Sequence, residues 1–182
     1  MKALDKYLQG VRIKKARKFV QKNNSVLDIG SVDGVMFERW KGHISKGLGV
    51  DPTLNQVIDG GFYKLYPGYF PDACPKGETF DAITLLAVLE HIPTSQQEQL
   101  AKDCFAYLNP KGRLIITVPS PQVDTVLEVL LKFRLIEGMS LEEHYGYKPE
   151  DTERIFAAPH FKLLHKETFQ LGLNNLFVFE RL

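Results

Sequence analysis

Val26-Leu27-Asp28-Ile29-Gly30-Ser31-Val32-Asp33-Gly34 reads as a buried strand that ends on an acid and turns through glycine into a helix. Gly30 lets the backbone bend sharply and approach a ligand with no Cβ in the way, and Gly34 lets the following helix pack closely. Turns of this kind seat nucleotide-like ligands in α/β folds. Asp28 narrows the class of ligand. A dinucleotide site sets a pyrophosphate against the amides of the helix N-terminus, and a carboxylate there repels phosphate while attracting a ligand with positive charge. A strand-end Asp also serves as a helix N-cap, so two roles are open at Asp28.

Around this stretch, helical and strand signals alternate with short gaps, the pattern of an α/β layer fold with a mostly parallel sheet. The spacing of Leu4, Leu8, Val11, Ala16, Phe19 and Val20 predicts an opening helix over about 3–22, packed beside the turn. Strands are expected near 25–29, 46–50, 64–70, 80–86, 112–118, 161–168 and 175–181, with helices between most of them. Only Gly172-Leu173-Asn174-Asn175 separates the last two, which predicts an antiparallel hairpin. The result is a seven-stranded sheet with one reversed strand. The 182 residues are read as a single domain, with 119–148 an insertion over the ligand side.

Composition excludes more than it selects. A net charge of +1 gives no global attraction to nucleic acid or membrane. Eight Lys and Arg precede residue 23 against the single acid Asp5, which reads as a solvated helix face more readily than as a polyanion site. Cys74 and Cys104 sit in no metal or redox spacing and read as free thiols of a reducing cytoplasm. No apolar run reaches membrane-spanning length.

Four segments, in order, carry a family resemblance: Val26 to Gly34; Gly49-Val50-Asp51-Pro52; the run Phe80 to Ile92, which includes Leu85-Leu86-Ala87-Val88-Leu89-Glu90-His91; and Leu108 to Pro119. Together they resemble the class I S-adenosylmethionine-dependent methyltransferases over nearly the whole chain. The resemblance implies a three-layer Rossmann-like fold, S-adenosyl-L-methionine as cofactor, and a cofactor site of Asp28, Gly30, Ser31, Gly34, Asp51, Pro52, Phe70, Leu85 and Leu86. Asp51 stands where the family holds the ribose hydroxyls, although an Asp before Pro also suits an N-cap. Val32 replaces the family's usual middle glycine and sets a branched side chain at the turn. The third-strand acid that often meets adenine is missing, and backbone amides and the ring of Phe70 could replace it. Tyr66, Tyr69 and Phe70 read equally well as core and rim residues of a strand end.

Methyl transfer from a sulfonium is an in-line displacement with a neutral leaving group, so positioning supplies much of the rate and covalent machinery little. An acceptor hydroxyl must also lose a proton. His91, just past the fourth strand, is the first candidate base, and His144 in Glu143-His144-Tyr145-Gly146-Tyr147 the second; each also suits a purely structural role. Some relatives bind metal through Glu-x-x-Glu-His. Ala87 stands in place of the first Glu, and no metal is expected. The apolar run 123–136 reads as core, as a hydrophobic acceptor pocket or as a homodimer contact, with Gly138 a hinge behind it. The expected activity is O- or N-methylation of a small molecule in the cytoplasm, with no membrane or nucleic-acid partner. The alternative is a non-catalytic S-adenosylmethionine-binding or scaffold protein.

Overall fold

A computed structural model describes residues 3–120, 148–157 and 159–182. Helix α1 (Ala3–Arg17) leads into β1 (Ser25–Ile29), α2 (Val35–Arg39) and β2 (Lys46–Asp51). After these come β3 (Ile58–Asp59), β4 (Tyr63–Pro67), β5 (Phe80–Leu86), a 3-10 turn (Leu89–His91), α3 (Thr94–Tyr107) and β6 (Leu108–Pro119). Helix α4 (Asp151–Ile155) and strands β7 (Phe161–Phe169) and β8 (Asn174–Arg181) complete the order. Of the expected 119–148 insertion, residues 121–147, with the 123–136 run, Gly138 and His144, lie outside the described residues, and Pro119 ends β6.

One sheet runs β3-β4-β2-β1-β5-β6-β8-β7. Strands β4, β2, β1, β5 and β6 are parallel, and β8 enters antiparallel between β6 and β7. Central strands are apolar on both faces because helices cover both. On one face Leu27, Leu48, Ile83 and Ile116 pack with Leu100 and Cys104 of α3. On the other, Val26, Ala82 and Ile115 pack against Ile13 and Ala16 of α1 and Met36, Phe37 and Trp40 of α2. The three-layer α/β fold expected from the sequence is therefore present.

Several boundaries differ for local reasons. The sheet has eight strands, not seven, because Ile58–Asp59 forms a two-residue strand antiparallel to β4. Its turn is written as Asp59-Gly60-Gly61, where Asp59 Oδ1 accepts from the Gly61 amide at 2.9 Å. This hairpin takes the place of a helical crossover between β2 and β4. Strand β4 stops at Pro67 rather than 70, ahead of Gly68 at φ 125°. Helix α1 stops at Arg17 rather than 22, and its tail closes with three-residue turns, Phe19 N–H to Ala16 O at 3.0 Å and Val20 N–H to Arg17 O at 3.2 Å. Strand β6 begins at Leu108, ahead of the expected 112, and its pairing with β5 shifts register between Phe80 and Ala82. The β7–β8 hairpin forms as expected, through a turn in which Gln170, Leu171 and Gly172 are all left-handed.

Helix α2 sits on β2 because Gly47 has no side chain. A Cβ at Gly47 would lie 2.5 Å from the Phe37 ring and 2.8 Å from Tyr63 Cβ, and those two rings stack with centroids 5.1 Å apart. Gly47→Ala is expected to cost about 1–3 kcal/mol, as overpacking does. Urea unfolding reads this as a lowered midpoint at unchanged slope; an unchanged midpoint would show that α2 is not seated there.

Candidate functional site

Strands β1, β2 and β5 end at the same edge of the sheet, and the loop after β1 folds back across it. The Gly30 and Ser31 amides both donate to Val50 O, at 2.9 and 3.2 Å. Gly30 (φ 86°) and Gly34 (φ 66°) take the left-handed conformations that bend the loop, and Val32 is not among the left-handed residues. The family's middle glycine therefore meets no backbone requirement here, and the Val32 side chain is 56% exposed rather than folded under the loop. Gly30 carries a second constraint, since a Cβ there would fall 2.4 Å from Val88 Cγ2.

Asp28 lies beneath this loop. Its Cα pairs with Gly49 on β2 and Thr84 on β5, and its side chain is buried. Thr84 Oγ1 donates to Asp28 Oδ1 at 2.6 Å. Burial pushes the carboxyl up to about 7, the Thr84 and Ser31 hydroxyls oppose this, and the charges of Asp33 and Asp51 add to it. Asp28 does not cap α2. Gly34 occupies the N-cap, and Asp33 Oδ1 accepts from the Val35 amide at 3.1 Å, while Gln9 of α1 donates to Asp33 Oδ2 at 3.1 Å.

Ser31 is buried, with its hydroxyl set against the Asp28 carboxyl, whose charged form it favours. It fits because position 49 is glycine: a Cβ there would lie 2.6 Å from Ser31 Oγ. Asp51, at the end of β2, is buried and receives two bonds on Oδ1, from the Thr53 amide at 2.8 Å and Thr53 Oγ1 at 2.5 Å. It thus caps the turn that holds Pro52, not a helix. The Gly68 amide donates to Asp51 O at 3.1 Å and ties the segment before Phe70 to this corner. Phe70 is half-buried and packs edge-on against Tyr107 at 5.2 Å, whereas Tyr69 is exposed.

Leu85 is buried in the core and Leu86 is half-buried at the end of β5. The chain then reverses at Ala87 (φ 63°), whose amide donates to Thr117 O at 2.9 Å. In the 3-10 turn, adjacent residues diverge: His91 is exposed and Glu90 is buried. Glu90 Oε2 lacks a hydrogen-bond partner, and burial pushes the carboxyl up to about 7 against a hydrogen bond to its own backbone and the Arg12 charge. Arg12 reaches from α1, its Nε donating to Asn174 Oδ1 at 3.3 Å. No group of three His, Cys, Asp or Glu among the described residues could hold a metal ion.

The edge therefore gathers Asp28, Gly30, Ser31, Gly34, Asp51 and Pro52, with Leu86 and His91 beside them; Phe70 stands at its β4 corner and Leu85 faces the core. Thr84, Gly49, Val88 and Arg12 belong to the same constellation and escaped the sequence reading. Gly49 carried a signal, since an isolated glycine inside a strand marks close approach of another group. Thr84 carried one only once the register of β1 and β5 was known.

The raised proton affinity of Asp28 has a stability consequence. The unfolded chain ionises this carboxyl from about pH 4, while the folded chain keeps the proton to about 7. Stability therefore falls as pH rises between those values and levels off above, at a rate of about 1.4 kcal/mol per pH unit per group at most. Asp28→Asn is expected to be more stable than wild type at pH 8 by about 1–3 kcal/mol, with the gap closing near pH 4. Urea unfolding at both pH values tests this; equal stability at pH 8 would contradict the burial of a charge-bearing Asp28.

Comparison with known proteins gives the family. The methyltransferase-domain family matches residues 4–166. No curated protein matches the chain. Among solved structures, the N-methyltransferase NodS from Bradyrhizobium japonicum WM9, in complex with S-adenosyl-L-homocysteine, is 13% identical, with 99% of this chain and 88% of that one covered at a TM-score of 0.66. Magnesium protoporphyrin IX methyltransferase from Synechocystis PCC 6803, with bound S-adenosylhomocysteine, is 17% identical over 97% of this chain and 83% of that one, at a TM-score of 0.64. A putative methyltransferase in complex with a methyltransferase activator, from Haloferax volcanii, is 13% identical over 98% of this chain and 93% of that one, at a TM-score of 0.71. At these identities the likeness to solved structures is one of fold. With the family match spanning most of its length, this chain belongs to the methyltransferase-domain family and is a class I S-adenosylmethionine-dependent methyltransferase.

Proposed function

We propose that the enzyme methylates a hydroxyl or amine of a small-molecule acceptor. The donor lies across the C-terminal ends of β1 and β2, and the acceptor enters beside the ends of β5 and β6. The observation that carries this reading is the meeting, at one edge, of a buried carboxyl, a buried hydroxyl beside it and a second carboxylate at the end of β2, with an exposed imidazole in the turn past β5. These groups fit a ligand that is cationic at one end and a ribonucleoside at the other. When bound, S-adenosyl-L-methionine supplies an activated methyl group on a sulfonium with a neutral leaving group.

The chain's own residues divide the remaining work. Asp28 sets negative charge under the loop, where the low-dielectric surroundings strengthen its attraction for an ammonium. Gly30 and Gly34 let the backbone come close, and Ser31 sets a hydroxyl beside the Asp28 carboxyl. Asp51 has its turn bonds on Oδ1, which leaves Oδ2 for the ribose diol, with Pro52 holding the turn. Phe70 borders the adenine end, and Leu86 forms the floor at β5 with Leu85 behind it in the core. His91 receives the acceptor's proton as the new bond forms, with His144 the second candidate for that step. A small acceptor is favoured by the near-zero net charge, which offers a polyanion no general attraction. No helix among the described residues is long and apolar enough to cross a membrane.

Calorimetry with S-adenosyl-L-methionine is expected to show Asp51→Ala binding about 10- to 100-fold more weakly than wild type, the range for lost hydrogen bonds to a charged group. Equal affinities would remove Asp51 from the donor site. Transfer of radiolabelled methyl to a panel of phenols, carboxylates and amines then identifies the acceptor class. On the acceptor so found, His91→Asn is expected to lower kcat by about 10²- to 10⁴-fold and to remove the acid limb of the pH profile. An unchanged profile would leave His91 outside the proton transfer.

A further inference from the structure

We propose that Thr84 is a positioning residue for the donor: its hydroxyl fixes the orientation of the Asp28 carboxylate beneath the loop and so sets how strongly the donor's ammonium is held. The inference rests on the reading of Asp28 as the charge that faces that ammonium.

Thr84 is fully buried and makes no contact with solvent, yet it is a polar residue in the middle strand of the sheet, where Val or Ile would serve packing better. Its position answers why. Thr84 is the β5 register partner of Asp28, so both side chains leave the sheet on the same face, and Oγ1 reaches Asp28 Oδ1 at 2.6 Å. That length is typical of a hydroxyl donating to a carboxylate, a bond roughly twice as strong as one between neutral groups. The other acceptors within reach of that one proton are farther, Leu27 O at 3.4 Å and the Met36 sulfur of α2 at 3.5 Å, so the bond to Asp28 is the short one. On the opposite flank, β2 contributes only the Cα of Gly49, with Ser31 folded over it. Thr84 is thus the side chain from a neighbouring strand that bonds Asp28, and the carboxylate cannot rotate without breaking that bond.

The consequence is electrostatic as well as geometric. The charged groups facing Asp28 are Asp33 from the loop and Asp51 from the end of β2, and both favour its protonated form, as burial does. The Thr84 hydrogen bond and, after it, the Ser31 hydroxyl work against all three, favouring the ionised form that an ammonium requires.

The test uses the full chain and S-adenosyl-L-homocysteine, which carries the ammonium, alongside methylthioadenosine, which shares the nucleoside and sulfur but lacks it. Thr84→Val, nearly isosteric, is expected to weaken S-adenosylhomocysteine binding about tenfold at pH 7 and to move the pH midpoint of binding upward by about one unit. Methylthioadenosine binding stays within about twofold of wild type. Thr84→Ser, which keeps the hydroxyl, restores both affinity and midpoint. Asp28→Asn is expected to lose affinity for S-adenosylhomocysteine and the pH dependence with it. If Thr84→Val binds like wild type at every pH while Asp28→Asn loses affinity, the role of Thr84 is overturned and that of Asp28 stands. If Asp28→Asn also binds like wild type, the reading of Asp28 fails and the inference falls with it. Equal losses for both ligands in Thr84→Val would mark a packing defect and also overturn the proposal.

Discussion

Asp28 lies in register between Gly49 and Thr84, and burying a carboxylate there costs the fold several kcal/mol unless it is partnered or protonated. The rest of the edge follows from how that cost is met. Parallel pairing on both sides leaves no edge through which water can reach the group, so a hydrogen bond from β5 replaces solvent. Gly49 removes the side chain that would otherwise fill the space beside it, and Ser31 takes that space. The loop crosses above because Gly30 can adopt φ 86° beneath Val88. A group held this way is poised near neutrality, the condition in which a cationic ligand changes its ionisation most.

How far this was legible in the sequence depends on the range of the interaction. Strands β1, β2 and β5 were legible because runs such as Val26-Leu27 and Ala82-Ile83 are apolar on both faces, as central parallel strands must be. The closing hairpin was legible from the few residues between two strands. What escaped has a physical reason in each case. A two-residue strand such as β3 carries almost no periodicity, though its Asp-Gly-Gly turn is plain in retrospect. The roles of Thr84, Val88 and Gly49 depend on which strands are neighbours and in what register, and no local pattern carries that information. Val32 shows the converse: a departure from a family pattern that looked consequential meets no conformational demand, because the bend is carried by Gly30 and Gly34 alone.

The basic run at the start of the chain also finds an explanation in the fold. Part of it is spent on attaching α1: Lys15 pairs with Glu167 at 3.0 Å and Arg12 bonds Asn174, so the helix spans from the β7–β8 hairpin to the loop, where Gln9 meets Asp33. A half-buried pair of this kind still in contact with water is worth about 1 kcal/mol, so the apolar face of α1, with Ile13 and Ala16, supplies most of the attachment. Polar contacts set the helix's orientation over the site. Lys14, Arg17 and Lys18 remain exposed, as a solvated helix face requires.

Two carboxylates at this edge, Asp28 and Glu90, are both pushed toward neutrality by burial, yet they sit at different strand ends and meet different partners. Asp28 faces a hydroxyl and two other acids; Glu90 faces the guanidinium of Arg12. A sheet optimised for stability alone would carry apolar side chains at both positions, since a buried ion pair is seldom better than well-packed hydrocarbon. Their placement near the end of β1 and in the 3-10 turn past β5, and not in the middle of a strand, confines the destabilisation to the edge where ligands bind. Loss of stability and gain of binding are there the same electrostatic quantity seen from two states: the charge that folding leaves poorly solvated is the charge that a bound cation stabilises.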